Sequence, residues 1–317
     1  PVASVIPKVN NLIARGGSVD VLAGTIRHSG EINADALAID ATGRIVLSAT
    51  KHVETSSTSV ISARGERAAD AVNAAGAAGG SVTVRASAPA SATPAATAAP
   101  TTATIAGRID VTGARGGSAT VEADTLTVKA TIDASGTTAG GTVQVLGDHV
   151  TAEGATLRAN ADTGNAGDIR FGGEFRGAAS LRAADTATID SASRFEANAV
   201  TRGDGGEVVI WSDLLTRFAG KAETRGGLEA GDGGMIEVSG KESLQFAGGA
   251  DVGAPRGDAG TLLLDPRNIR IVQGGATVSI DNPTPFAGDQ FGSSFQVLGN
   301  GNILVVNQNA DASGLTD

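Results

Sequence analysis

The sequence predicts an all-β protein, a right-handed parallel β-helix (β-solenoid) with about 25 residues per rung. Three observations predict it: a strand motif repeated eight times, a near-absence of helical periodicity, and an apolar fraction built from small aliphatic side chains.

The motif is a small residue and a glycine ahead of a short alternating run. Its copies are GGSVDV (Gly16), GGSVTV (Gly79), GGSATV (Gly116), GGTVQV (Gly140), AGDIRF (Ala166), GGEVVI (Gly205), GGMIEV (Gly233) and AGTLLL (Ala259). Two positions past the second small residue stand Val19, Val82, Ala119, Val143, Ile169, Val208, Ile236 and Leu262, and two further on stand Val21, Val84, Val121, Val145, Phe171, Ile210, Val238 and Leu264. All of these are apolar. The positions between them are polar except at Val209, Met235 and Leu263. Strict alternation of this kind marks a strand with one buried face.

Successive copies are 63, 37, 24, 26, 39, 28 and 26 residues apart, which a unit of about 25 residues explains if it is sometimes doubled or interrupted. Phe218 and Phe246 each lie twelve residues beyond the second glycine of their units, so they should stack on neighbouring rungs. At roughly 25 residues per rung, residues 1–272 would make about 11 rungs and a rod roughly 50 Å long. The one helix-like stretch, GERAADAVNAAGAAGG from Gly65, is alanine-rich. The Pro/Ala/Thr/Ser segment at 86–104 cannot bury enough surface to fold alone and reads as a loop extruded from the rod. Residues 273–317 change character and read as a separate C-terminal β segment.

Aromatic residues make up 3% of the chain, with no tyrosine and one tryptophan, against 45 glycines. A thin, repetitive core suits such a selection. Cysteine is absent, which excludes disulfides, thiolate metal sites and cysteine nucleophiles. The net charge of −10, with no cluster of basic residues, argues against nucleic acid as a partner. There is no apolar run of the length that spans a membrane as a helix, and no signal peptide is visible. Both ends read as cuts in a longer polypeptide.

A turn recurs before the strands: GNAG (Gly164), GDGG (Gly203), GDGG (Gly231) and GDAG (Gly257). Glycine supplies positive φ, and Asp or Asn hydrogen-bonds to nearby backbone. Where arginine precedes this turn an RGD tripeptide results, at Arg202-Gly203-Asp204 and again at Arg256-Gly257-Asp258. These six residues are the cell-attachment candidates, but a turn that the fold already requires is the simpler reading. Stacked turn aspartates could attract a cation, yet the calcium-binding nonapeptide pattern is not repeated, and neither metal nor cofactor is expected.

Catalysis on polysaccharides would need carboxylates converging on one face and aromatic sugar platforms. Asp213, Glu223, Glu237 and Asp265 fall singly on different rungs. Trp211 reads as an outward residue packed under a loop. His28 and His52, 24 residues apart, could stack on adjacent rungs, and His149 stands apart, leaving no third metal ligand. The chain therefore reads as a non-enzyme.

Residues 203–271 resemble the repetitive region of filamentous-haemagglutinin-like exoproteins of Gram-negative bacteria. The tokens that carry this are GGEVVIWSD, GDGGMIEVSGK and AGTLLLDPRNI, with IARGGSVDVLAG and GRIVLSA more loosely similar upstream. The resemblance implies a β-helix exported by two-partner secretion through an outer-membrane transporter, displayed on or released from the cell surface, and used for adhesion to a receptor or glycan. The family's amino-terminal secretion domain is not in this sequence. Gly288 to Asp317, through Phe291-Gly292-Ser293 and NGNILVV, resembles one FG-GAP repeat, the blade of a propeller. Beside the adhesive stalk, two alternatives stand: a filament that self-associates end to end through unpaired strands, and a polysaccharide-active enzyme.

Overall fold

A computed structural model of the chain describes residues 11–36, 42–65, 76–88, 99–273, 276–280, 291–297 and 303–307. Its regular structure is almost all strand, and a 3-10 turn at Phe175–Gly177 is the one helical element among the described residues. The strands wind as a parallel β-helix with three faces. One rung reads Ser118–Glu122 on the first face, Thr125–Val128 on the second and Thr131–Asp133 on the third. In the two earliest rungs Ser18–His28 and Arg44–Thr55 run through the first two faces as single long strands.

The third face is a 9-stranded parallel sheet running from Asn11–Ile13 to Gly249–Asp251. First-face partners follow one another as Val19, Ile45, Val82, Ala119, Val143, Ile169, Val208, Ile236 and Leu262. This sequence of partners contains every expected strand and adds one at Ile45. The 63-residue interval is thus a doubled unit, split by Gly43 and the strand that begins at Arg44. Nine rungs at about 4.8 Å make a stack about 40 Å long, shorter than the eleven rungs expected. The difference lies in chain that leaves the rod at corners. The loop expected at 86–104 falls between the Ser81–Ala86 strand of the first face and Thr102–Ile105 of the second, within one rung, and residues 89–98 of it lie outside the described residues. A second, residues 172–185, lies between the Asp168–Phe171 and Thr186–Ile189 strands. Most of the alanine-rich stretch after Gly65 lies outside the described residues.

Why the second residue of the motif is glycine is a matter of space. Gly43, Gly80, Gly117, Gly141, Gly167, Gly206, Gly234 and Gly260 form one column along a corner. A Cβ on Gly141 would lie 2.1 Å from the carbonyl oxygen of Gly117, one on Gly167 1.9 Å from that of Gly141, and one on Gly206 1.9 Å from that of Gly167. From Gly80 onward, each of these glycines also closes its corner with a backbone hydrogen bond. The Gly141 N–H, for example, donates to Ala134 O at 2.8 Å.

The core runs along the axis. The motif's apolar positions are buried except Val19, Val21 and Leu262, which sit in the outermost described rungs and are half-buried. Phe171, Phe195, Phe218 and Phe246 form a continuous aromatic stack, with ring centroids 5.5, 6.4 and 5.4 Å apart in turn. Phe218 and Phe246 are direct register partners, as their spacing predicts. Beyond Ile271 the parallel pairing stops. Ile269–Gln273 pairs antiparallel with Ala276–Ile280, and Phe291–Val297 with Ile303–Asn307. No helix among the described residues is long and apolar enough to cross a membrane.

Candidate functional site

The recurrent turn builds a ladder of side chains. Asn165 Oδ1 accepts the backbone N–H of Asp204 at 3.0 Å, Asp204 Oδ1 that of Asp232 at 2.9 Å, and Asp232 Oδ1 that of Asp258 at 2.8 Å. Each carboxylate or amide therefore satisfies a donor of the next rung, as an N-cap does for a helix. Gly203 and Gly231 hold φ of 112° and 123°, the left-handed region that glycine tolerates. A second ladder follows another corner. Ser135 Oγ accepts from Asn160 N, Asn160 Oδ1 from Asn198 N, and Asn198 Oδ1 from Arg225 N.

Both RGD tripeptides fall on the first of these ladders. Arg202 is exposed and pairs with Glu229 at 2.6 Å, while one oxygen of Asp204 is engaged by the next rung. Arg256, Gly257 and Asp258 are exposed, and the N–H of Asp258 is held by Asp232. A shallow groove of about 640 Å³ runs beside the ladder, lined by Asn165, Asp204, Asp232, Asp258 and the corner glycines.

The histidines do not stack as their spacing suggested. Partners in these two rungs lie 26 residues apart up to Ala23 and 27 apart from Thr25 onward, not 24, so His28 pairs with Thr55 and His52 with Thr25. His52 and His149 instead share an outer column, separated by Thr102 and Thr125. His52 Nδ1 shares a hydrogen bond with Thr102 Oγ1 at 2.6 Å, and His149 Nδ1 one with Thr186 Oγ1 at 3.0 Å. His28 is buried, and burial lowers its pKa. Among the described residues no three His, Asp or Glu side chains gather in a metal-binding group.

Among the described residues Glu237, one of the candidate acids, is the most strongly shifted group, and its environment was not visible in the sequence. Glu237 occupies an outward position of the first face yet is fully buried, between its register partners Val209 and Leu263. The cover is the 172–185 excursion. Glu237 Oε2 accepts the backbone N–H of Arg176 at 2.9 Å, and Oε1 has no hydrogen-bond partner. Burial pushes its carboxyl up to about 7, and the neighbouring Asp265 adds to this, against hydrogen bonds from Arg176 N–H and Ser239 and the Arg176 charge. Asp265 in turn donates its N–H to Ser239 Oγ at 3.2 Å. Glu237 and Asp265, placed singly on different rungs by the sequence, are therefore neighbours.

Trp211 lies under the same excursion, as expected. It is 6% exposed, and a Cβ on Gly177 would come within 2.4 Å of its ring. Its indole N–H donates to Asp213 Oδ1 at 3.3 Å. Glu223 accepts from Asn198 Nδ2 at 3.5 Å on a different face of the rod. The only sequence signal for this covered patch is the pair of apolar exceptions Val209 and Leu263, which flank Glu237 in its outer row; Met235 stands in the other row, between Glu207 and Thr261. Set against known proteins, the chain matches no family model and no curated protein, so neither the haemagglutinin-like nor the FG-GAP-like resemblance draws support from them.

Proposed function

We propose that the chain is a structural stalk and interaction surface within a large secreted or surface-displayed bacterial adhesin of the filamentous-haemagglutinin kind. The observation that carries this reading is what the outward polar side chains do. They tie one rung to the next, through the two capping ladders and through ion pairs such as Arg85–Glu122 at 3.0 Å and Arg158–Glu196 at 2.8 Å, each between direct register partners. A surface so committed suits repeated, extended contact. The acids considered for catalysis support the same reading: Asp213 holds an indole, Glu223 faces away from the others, and Glu237 is closed off from solvent. The partner would be a receptor or glycan on a host or neighbouring cell. Export would use an outer-membrane transporter, as the resemblance of residues 203–271 implies.

Beads coated with the purified chain, scored for retention on epithelial cells and on immobilised glycans, test the proposal. Retention above beads carrying an unrelated acidic β-helix is expected. Equal retention of the two would overturn it, and release of sugar from an acidic glycan would favour the enzymatic alternative instead.

A further inference from the structure

We propose that residues 172–185 form a strap that is held on the rod while Glu237 is protonated and is released when Glu237 ionises, uncovering Trp211. The strap leaves the rod at Gly172 and returns at Ala184, whose N–H donates to Gly172 O at 2.6 Å. Its two shoulders are pinned by arginines. At one, Arg170 reaches Glu174 and Glu207, both at 2.7 Å; at the other, Arg182 reaches Asp124 and Asp148, both at 2.6 Å. The middle has no such pin. It rests on the Trp211 ring through Gly173 and Gly177 and on Glu237 through the Arg176 N–H.

The middle is also where the backbone is strained. Arg176, at φ 52°, is the one non-glycine residue with positive φ among the described residues. Closure thus sets a residue in an unfavoured conformation and leaves a carboxyl oxygen, Glu237 Oε1, buried without a partner. A neutral carboxyl tolerates that burial far better than a carboxylate does. The charged groups that face Glu237 are Arg176 from the strap and Asp265 from the following rung, with opposite effects; its register partners Val209 and Leu263 are apolar.

The sign follows from a carboxyl whose pKa rises from 4.5 to about 7 on closure. The closed form holds the proton more tightly, so its advantage is complete below pH 4.5 and is lost as pH rises through about 7. The closed-to-open ratio should fall by up to ~300-fold over that range, tenfold per unit of displacement.

Trp211 is the chain's one tryptophan and there is no tyrosine, so intrinsic fluorescence reports this patch alone. The experiment follows emission maximum, acrylamide quenching and hydrogen exchange of residues 172–185 in the full chain, from pH 5 to 9 at constant ionic strength. A red shift, stronger quenching and faster exchange with a common midpoint no higher than about 7 are expected. Glu237→Gln should keep the strap closed throughout, with its fold checked by circular dichroism. Arg176→Gly keeps the N–H while removing both strain and charge, and should move the midpoint to higher pH. Absence of a transition in the unaltered chain would overturn the proposal. So would a transition that persists in folded Glu237→Gln, or an unmoved midpoint in Arg176→Gly.

Discussion

Alanine at Gly141 puts the glycine column to a quantitative test. The added Cβ would stand 2.1 Å from Gly117 O, whereas real Cβ atoms essentially never come closer than 3.0 Å to another heavy atom. The rungs must therefore part locally by about 1 Å, and both atoms in conflict belong to backbone with little freedom to turn aside. Two hydrogen bonds cross that corner: Gly141 N–H to Ala134 O at 2.8 Å and Thr142 N–H to Gly117 O at 2.9 Å. Losing each costs about 1 kcal/mol, and forcing atoms into a filled site adds about 1–3 kcal/mol. Gly141→Ala should therefore cost about 3–5 kcal/mol. Gly24→Ala is the control. The nearest heavy atom to its Cβ is Thr50 Oγ1 at 4.0 Å, and its φ lies outside the left-handed region. It should fall within about 1 kcal/mol of the unaltered chain. Urea unfolding followed by circular dichroism would separate the two. Equal midpoints for the variants would refute the idea that steric exclusion, rather than turn flexibility, demands glycine in the column.

Phe218→Ala removes the ring between Phe195 and Phe246 and should cost about 3–5 kcal/mol, read as a lower thermal midpoint. Asp35 is buried; burial alone would raise its carboxyl, but hydrogen bonds from Ser62 and Arg64 and the Arg64 charge hold it below the usual carboxylate range. Its contribution is present above the ordinary Asp pKa and is lost as pH falls through the lowered folded value. Asp35→Asn should therefore cost about 1–3 kcal/mol at pH 7, and the cost should shrink as the pH is taken down through that lowered value, in urea titrations at successive pH values. Changing Asp204 and Asp258 together to Glu should leave cell attachment unaltered, because the tripeptide arises from a turn; a clear loss of retained cells would contradict this.

The fold was legible because its determinants are local and repeated. Alternation marks each first-face strand, and Gly plus Asp or Asn marks the corner before the last four. The strand at Arg44 escaped the count because its glycine is preceded by threonine in ATGRIVL, not by the small residue of the other copies. Only the column of backbone contacts shows Gly43 to be equivalent to Gly80. His28 and His52 misled for the opposite reason: their spacing of 24 is close to the average repeat, but the rung that separates them is 26 to 27 residues long, so they fall out of register. The sequence offered Glu237 as a candidate acid but gave no sign of its burial. In sequence it is one polar residue in an outward row, and its burial comes from an excursion some sixty residues earlier.

The capping ladders have a polarity that the sheets lack. In both, a side-chain oxygen of one rung receives an N–H of the rung that follows in sequence, from Asn165 through Asp204 and Asp232 to Asp258 and from Ser135 through Asn160 and Asn198 to Arg225. A completed rung is therefore a template with its acceptors already in place for the next. Trimming the rod from its late end leaves side-chain oxygens that water readily solvates. Trimming from its early end strips backbone donors of their acceptors at a crowded glycine corner. Growth and erosion of the rod should thus be asymmetric, with assembly favoured in the order in which a chain is delivered from its amino terminus.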